Sequence, residues 1–168
     1  MINTDDLVQY LKKIDKKLTR KVTVVAVGGT AMVLMGLKDV TKDVDFCVTR
    51  QDYGLVKAAK VHSKLRMDLF SEGYIFGQQL PEDYIHKAKS TADTFQNITL
   101  KVLHPVDIII TKTARLNERD YEDIAAIMKN KKIKKETVVQ RFRSIQKGYP
   151  GANEVLRMKM DMVLREFF

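Results

Sequence analysis

Three aspartates and a pair of glycines are the residues of this chain best suited to work together chemically. Asp43 and Asp45 lie two positions apart in the apolar run DVDFCVT (43–49). Side chains at i and i+2 of a strand project from one face, about 6–7 Å apart at the backbone. No basic residue separates them, so they repel unless a cation sits between them. Carboxylate oxygens are hard ligands that suit Mg²⁺ (or Mn²⁺), and Mg²⁺ takes its remaining ligands from water and substrate phosphates. Asp68 sits within KLRMDLF (64–70), between Met67 and Leu69, where an aspartate contributes little to packing. As a third carboxylate on a neighbouring strand it would complete a two-metal site. Gly28 and Gly29 fall between a strand pattern and a helix pattern. Glycines let phosphate oxygens approach the backbone, and a helix start offers N–H donors. Thr30 adds a hydroxyl, and Lys112, on a later helix, is placed to reach a phosphate. The order of cradle, paired carboxylates and third carboxylate suits a nucleoside triphosphate whose α-phosphorus undergoes in-line displacement. Neither the P-loop pattern nor G-x-G-x-x-G is present.

These residues need strands and helices to hold them. KVTVVAV (21–27) is continuous and β-branched, the pattern of a strand buried on both faces. TAMVLMGL (30–37) reads as a buried helix, and 43–49 as a second strand with Asp43, Asp45 and Cys47 on one face and Val44, Phe46 and Val48 on the other. Residues 3–19 predict an amphipathic helix, 52–61 a helix capped by Asp52, and 64–70 and 97–104 two further strands. Residues 72–90 give no clear periodicity and predict a short strand or a loop, then a helical turn. Pro105 opens a helix over 105–116, and 119–130, 134–147 and 150–167 predict three more, the last starting at Pro150. Within 119–130, Arg119 and Asp123 stand at i,i+4 and predict a helix-surface ion pair. The expected fold is α/β (α+β): a mixed sheet over 1–104 flanked by helices, then a helical C-terminal segment over 105–168 packed on it.

Composition narrows the class. The chain has 168 residues, 45% hydrophobic and 30% charged, which fits a globular domain with its own core. No apolar run reaches the roughly 20 residues of a membrane span. The N-terminus lacks a basic-then-apolar leader, and the lone Cys47 excludes Cys-rich zinc sites, so a reducing, cytoplasmic setting is expected. The formal net charge of +9, with a lysine cluster at 129–135, favours polyanionic partners.

The strand, Gly28-Gly29, short helix and Asp43-Val44-Asp45, with Asp68 on a later strand, resemble the signature of the nucleotidyltransferase superfamily that includes DNA polymerase beta. The run Thr41-Lys42-Asp43-Val44-Asp45 is similar to that of small microbial members related to the toxin component of abortive-infection pairs (the AbiEii-like group). Pro105, Asp107, Ile108, Lys112, Arg119, Asp120, Asp123 and Ile124 match the helical motif of that group. The resemblance implies a nucleotidyltransferase fold with Asp43 and Asp45 as metal ligands. It implies that Asp68 completes one metal site and helps deprotonate an acceptor hydroxyl, and that Gly28, Gly29 and Thr30 hold the triphosphate. It also implies a place in a toxin–antitoxin pair, with an antitoxin protein as partner. Relatives often carry Arg four residues before the first Asp; this chain has Asp39 there, leaving Lys38 or Lys42 to supply the charge. Two functions stand open. One is Mg²⁺-dependent transfer of a nucleoside monophosphate to a hydroxyl acceptor, RNA among the candidates. The other is a non-catalytic, basic nucleic-acid- or partner-binding module on the same fold.

Overall fold

The computed structural model describes residues 1–148 and 154–168. A seven-stranded mixed sheet carries the molecule, with eight helices among the described residues. The elements that position the site are α1 (Thr4–Asp15), β1 (Val22–Ala26), α2 (Gly28–Leu34), β2 (Val44–Val48), α3 (Arg50–Ala59) and β3 (Met67–Ser71). Next come β4 (Tyr74–Ile75), β5 (Gln78–Gln79), α4 (Tyr84–Lys87), β6 (Lys89–Ser90) and β7 (Ile98–Val102). The chain ends in α5 (Pro105–Arg115), α6 (Glu118–Asn130), α7 (Lys135–Gly148) and α8 (Glu154–Phe167).

The strand order is β5-β4-β3-β2-β1-β7-β6. At its centre β1 pairs antiparallel with β2 and parallel with β7, and β2 pairs parallel with β3. The β-branched residues of β1 and β2 explain this: all five positions of β2 and four of β1 are buried, as strands covered on both faces require. Val22, Val24, Ala26, Val44, Phe46 and Val48 meet the apolar faces of α1 and α3. Val25 and Cys47 point to the opposite face, where Ile108, Ile109 and Ile110 of α5 complete a second core with α6, α7 and α8. The alternation expected for 43–49 is therefore present, and the α/β (α+β) expectation holds.

Several boundaries move for identifiable reasons. α1 stops at Asp15 because that carboxylate turns out of the helix to accept the backbone N–H groups of Gln96 (3.0 Å), Asn97 (2.7 Å) and Ile98 (2.9 Å). α2 starts at Gly28, two residues before the expected start, so both glycines belong to its first turn. α3 is capped by Thr49, whose hydroxyl accepts the Asp52 N–H; Asp52 itself, expected as the cap, is buried against Arg20 at 2.6 Å. The expected Arg119–Asp123 pair does not form, because Asp123 turns inward to Lys112 and Lys38. The expected helix start at Pro150 lies outside the described residues.

Candidate active site

Register brings the carboxylates together. In the parallel β2–β3 pair, Asp45 stands directly opposite Asp68, one strand spacing of about 4.8 Å away. Asp43 lies just ahead of β2. All three line one open pocket of about 880 Å³, whose opposite wall is formed by residues of α5 and α6. Gly29, Lys42 and Lys112 line it too.

Asp45 is held from three sides. Its backbone N–H donates to the Thr30 hydroxyl at 2.8 Å, and its carbonyl accepts the Val27 N–H at 3.1 Å. Gly28 has φ +54°, and a Cβ built there would come within 2.9 Å of both Asp45 Oδ2 and the Phe76 ring. Glycine is thus required at 28 by backbone conformation and by close approach. Burial pushes the Asp45 carboxyl up to about 7, the neighbouring charges of Asp68 and Asp43 push the same way, and Lys112 and Arg115 oppose them. The opposing groups lie on α5, so the helical wall and the carboxylate floor are one electrostatic unit.

Each expected site residue has a definite place. Asp43, Asp45 and Asp68 all line the pocket, Asp45 and Asp68 as register partners. Gly29 reaches the pocket, but a Cβ on it would collide with the Thr41 hydroxyl, so its missing side chain also serves the packing of the 38–43 loop. Gly28 and Thr30 are buried behind the floor. The Thr30 hydroxyl is engaged by the Asp45 N–H and donates to the Asp43 carbonyl at 3.3 Å, which fixes the start of β2. Lys42 is exposed at the rim. Lys112 is 2% exposed and its Nζ is shared between Asp120 (3.3 Å) and Asp123 (2.5 Å). Lys38 takes the other oxygen of Asp123 at 2.5 Å, and Asp39 lies exposed in the pocket lining.

The structure adds three residues that sequence reasoning did not single out. Arg66, two positions before Asp68 on the same side of β3, pairs with it at 3.1 Å. Arg115 binds Asp120 through Nε (2.7 Å) and Nη2 (2.6 Å). Burial works to raise the Asp120 carboxyl, but the Arg115 hydrogen bonds and the Lys112 charge outweigh it and hold it below its ordinary value. Phe76, at the tip between β4 and β5, lies under the Arg115 guanidinium at 4.8 Å. Two of them had a signal: Arg66 falls two residues before Asp68 and shares its strand face, and Arg115 falls three residues after Lys112 and shares its helix face.

Among the described residues, no group of three or more His, Cys, Asp or Glu side chains is arranged to hold a metal ion as it stands. The aspartates are neighbours rather than a closed cage. Their chemistry still fits Mg²⁺, which binds through one or two carboxylates and completes its octahedron with water and phosphate oxygens. The mutual repulsion felt at Asp45 is what a bound cation would relieve. The Arg66–Asp68 pair is no obstacle, since the Arg66 side chain is 72% exposed and such surface bridges exchange readily. No curated protein matches this chain. The model of a family described as a nucleotidyltransferase of unknown function (DUF6036) matches residues 4–163, and the chain belongs to that nucleotidyltransferase family.

Proposed function

We propose that the protein is a Mg²⁺-dependent nucleotidyltransferase that moves a nucleoside monophosphate from a nucleoside triphosphate to a hydroxyl acceptor, with RNA as the favoured acceptor. The observation that carries this reading is the register pairing of Asp45 with Asp68, beside Asp43, at the floor of a pocket walled by cations. When bound, Mg²⁺ supplies neutralisation of phosphate charge and lowers the barrier to displacement at phosphorus. Asp43, Asp45 and Asp68 would hold that charge in place. Asp68, on the outer of the two strands, accepts the proton from the acceptor hydroxyl. The acceptor oxygen then forms a bond to the α-phosphorus, the bond from that phosphorus to the β-bridging oxygen breaks, and pyrophosphate leaves with the electron pair. Gly29 leaves backbone room at the pocket edge for phosphate oxygens, while Gly28 and Thr30 fix Asp45 from behind. Lys42 offers a cation at the rim. Lys112, spent on Asp120 and Asp123, contributes its positive field and no hydrogen bond. A role within a toxin–antitoxin pair, with a protein antitoxin, belongs to the same proposal and rests on the likeness of the Thr41–Asp45 and 105–124 motifs alone.

The test is incubation with α-labelled triphosphates, Mg²⁺, total RNA and cell lysate, with Asp43→Asn/Asp45→Asn as control. Label on RNA that the double variant does not transfer is the expected result. Label on protein or small molecules refutes the acceptor and keeps the transferase. Absence of label, with polynucleotide binding that persists in EDTA, refutes the transferase in favour of a binding module.

A further inference from the structure

The cations facing this side of the pocket, Lys38, Lys112, Arg115 and the exposed Arg119, differ in their freedom. Lys112 is buried between two aspartates, and Lys38 is committed to Asp123. Arg115 is different: its side chain is 45% exposed and lines the pocket. Its Nε and Nη2 are fixed on Asp120, which is fully buried. Among the described residues its Nη1 edge has no hydrogen-bond partner. One face of the guanidinium lies on the Phe76 ring. An arginine braced in this way has lost its rotamer freedom before any ligand arrives, and its planar fork matches phosphate oxygens.

The brace itself is unusual. Phe76 has φ +51° and is followed by Gly77 at φ +80°. A bulky side chain in the left-handed region is strained, and such strain persists only where the surroundings impose it. Here the two-residue turn between β4 and β5 imposes the conformation, and the ring it presents meets Phe70 edge-on at 4.9 Å, comes close to Gly28 and lies under Arg115. The ring therefore links the carboxylate floor to the guanidinium. Arg115 and Asp45 line the same pocket, with the Phe76 ring near both.

Resting on the nucleotidyl-transfer reading of this pocket, we infer that Arg115 holds the terminal phosphates of the bound triphosphate and then the departing pyrophosphate. Asp120 and Phe76 act as its positioning residues. Negative charge grows on the leaving oxygens during transfer, and a fixed guanidinium meets it without reorganising.

The test is calorimetric titration, in Mg²⁺, of each of the four ribonucleoside triphosphates, the matching monophosphates and inorganic pyrophosphate. The proteins are wild type, Arg115→Gln, Arg115→Lys and Phe76→Leu, each checked for a cooperative melt. Arg115→Gln should weaken triphosphate and pyrophosphate binding roughly ten- to hundredfold and leave the monophosphate constant within about twofold. Arg115→Lys keeps the charge without the fork and should fall between. Phe76→Leu leaves the Arg115–Asp120 pair intact, removes the platform, and should also fall between. Unchanged triphosphate affinity in a folded Arg115→Gln protein overturns the inference, as does a loss that falls equally on the monophosphate. Wild-type protein that binds no triphosphate, or binds it equally well after Asp43→Asn/Asp45→Asn, overturns the nucleotidyl-transfer reading and the inference with it.

Discussion

Asp45 joins the chemistry of the site to the stability of the fold. Its carboxyl is raised to about 7 in the folded chain, from an ordinary 3.8. Between those two values the folded state binds the proton that the unfolded state has lost. Stability from this group is therefore greatest at low pH and is lost as pH rises through about 7. Asp45→Asn removes that penalty, so at pH 8 it should raise stability by on the order of 1–3 kcal/mol, and the gain should shrink toward pH 5. Urea unfolding of both proteins at the two pH values checks this; an equal difference at both would show that Asp45 titrates normally. Mg²⁺ binding to wild type should strengthen over the same rise in pH, because the ligand must shed its proton. Lys112 makes the opposite case. Replacing it by Met removes the cation shared by buried Asp120 and Asp123, which keep Arg115 and Lys38 respectively, and loss of hydrogen bonds to charged groups of this kind costs about 1.5–3 kcal/mol. A melting temperature unchanged in Lys112→Met would return Lys112 to the role of a simple phosphate ligand. Strand parity made the shared face of Asp43 and Asp45 readable from the residues alone. The duty of Lys112 was not readable, since its partners lie 8 and 11 positions on, in a different helix, and helix spacing suggested Arg119 for Asp123 instead.

At the scale of elements, long apolar runs were legible and short tertiary-determined ones were not. β1 and β2 declare themselves through unbroken β-branched residues, and α5 through Pro105 and its isoleucines. The 72–90 segment did not, although it holds two X-Gly pairs, Glu72-Gly73 and Phe76-Gly77. All four residues have positive φ, the requirement of a tight hairpin turn. Two of the three strands they join, β4 and β5, are two residues each, too short to show a period of two. The limits of α1 were obscured for another reason: periodicity continues through Leu18, which is still in the core, while the helix itself gives way at Asp15. That carboxylate ties the end of α1 to the start of β7, the strand beside β1 in the middle of the sheet. Asp15→Ala leaves three backbone donors without their acceptor and should destabilise the chain by about 2–3 kcal/mol, with Asp15→Asn losing less. Denaturant midpoints at constant slope would measure it. A second tie crosses the helical part: Arg141 of α7 binds Asp107 of α5 at 2.6 and 2.9 Å and Asp83 beside α4 at 2.6 Å. Asp107 thus has a packing duty that its place in the 105–124 motif did not disclose.

For the molecule as a whole, charge decides which partner approaches the pocket. The formal net charge is +9, and much of it is gathered at the α6–α7 junction, where Lys129, Lys132, Lys134 and Lys135 are exposed and Lys131 is half-buried. None of these lysines lines the carboxylate pocket. A structured RNA could lie along the junction while its end reaches Asp68, and the two regions would then be separable by mutation. Each phosphate neutralised by a lysine releases counterions, so affinity should fall steeply between roughly 50 and 200 mM salt. Reversing Lys131, Lys132, Lys134 and Lys135 to Glu removes two charges per position and takes the net charge from +9 to +1. The variant should lose RNA affinity, and its log–log salt slope should become shallower by about one for each phosphate no longer neutralised. Nucleoside triphosphate affinity should change little, because charges beyond about 10 Å are screened at 0.1 M salt. Fluorescence anisotropy with labelled tRNA across a salt series, beside calorimetry with triphosphate, separates the outcomes. A salt slope identical to wild type would show that RNA, if it binds, is held by the pocket cations instead. A parallel fall in triphosphate affinity would show that the four reversals had disturbed α6 and, through Asp120 and Asp123, the wall of the site itself.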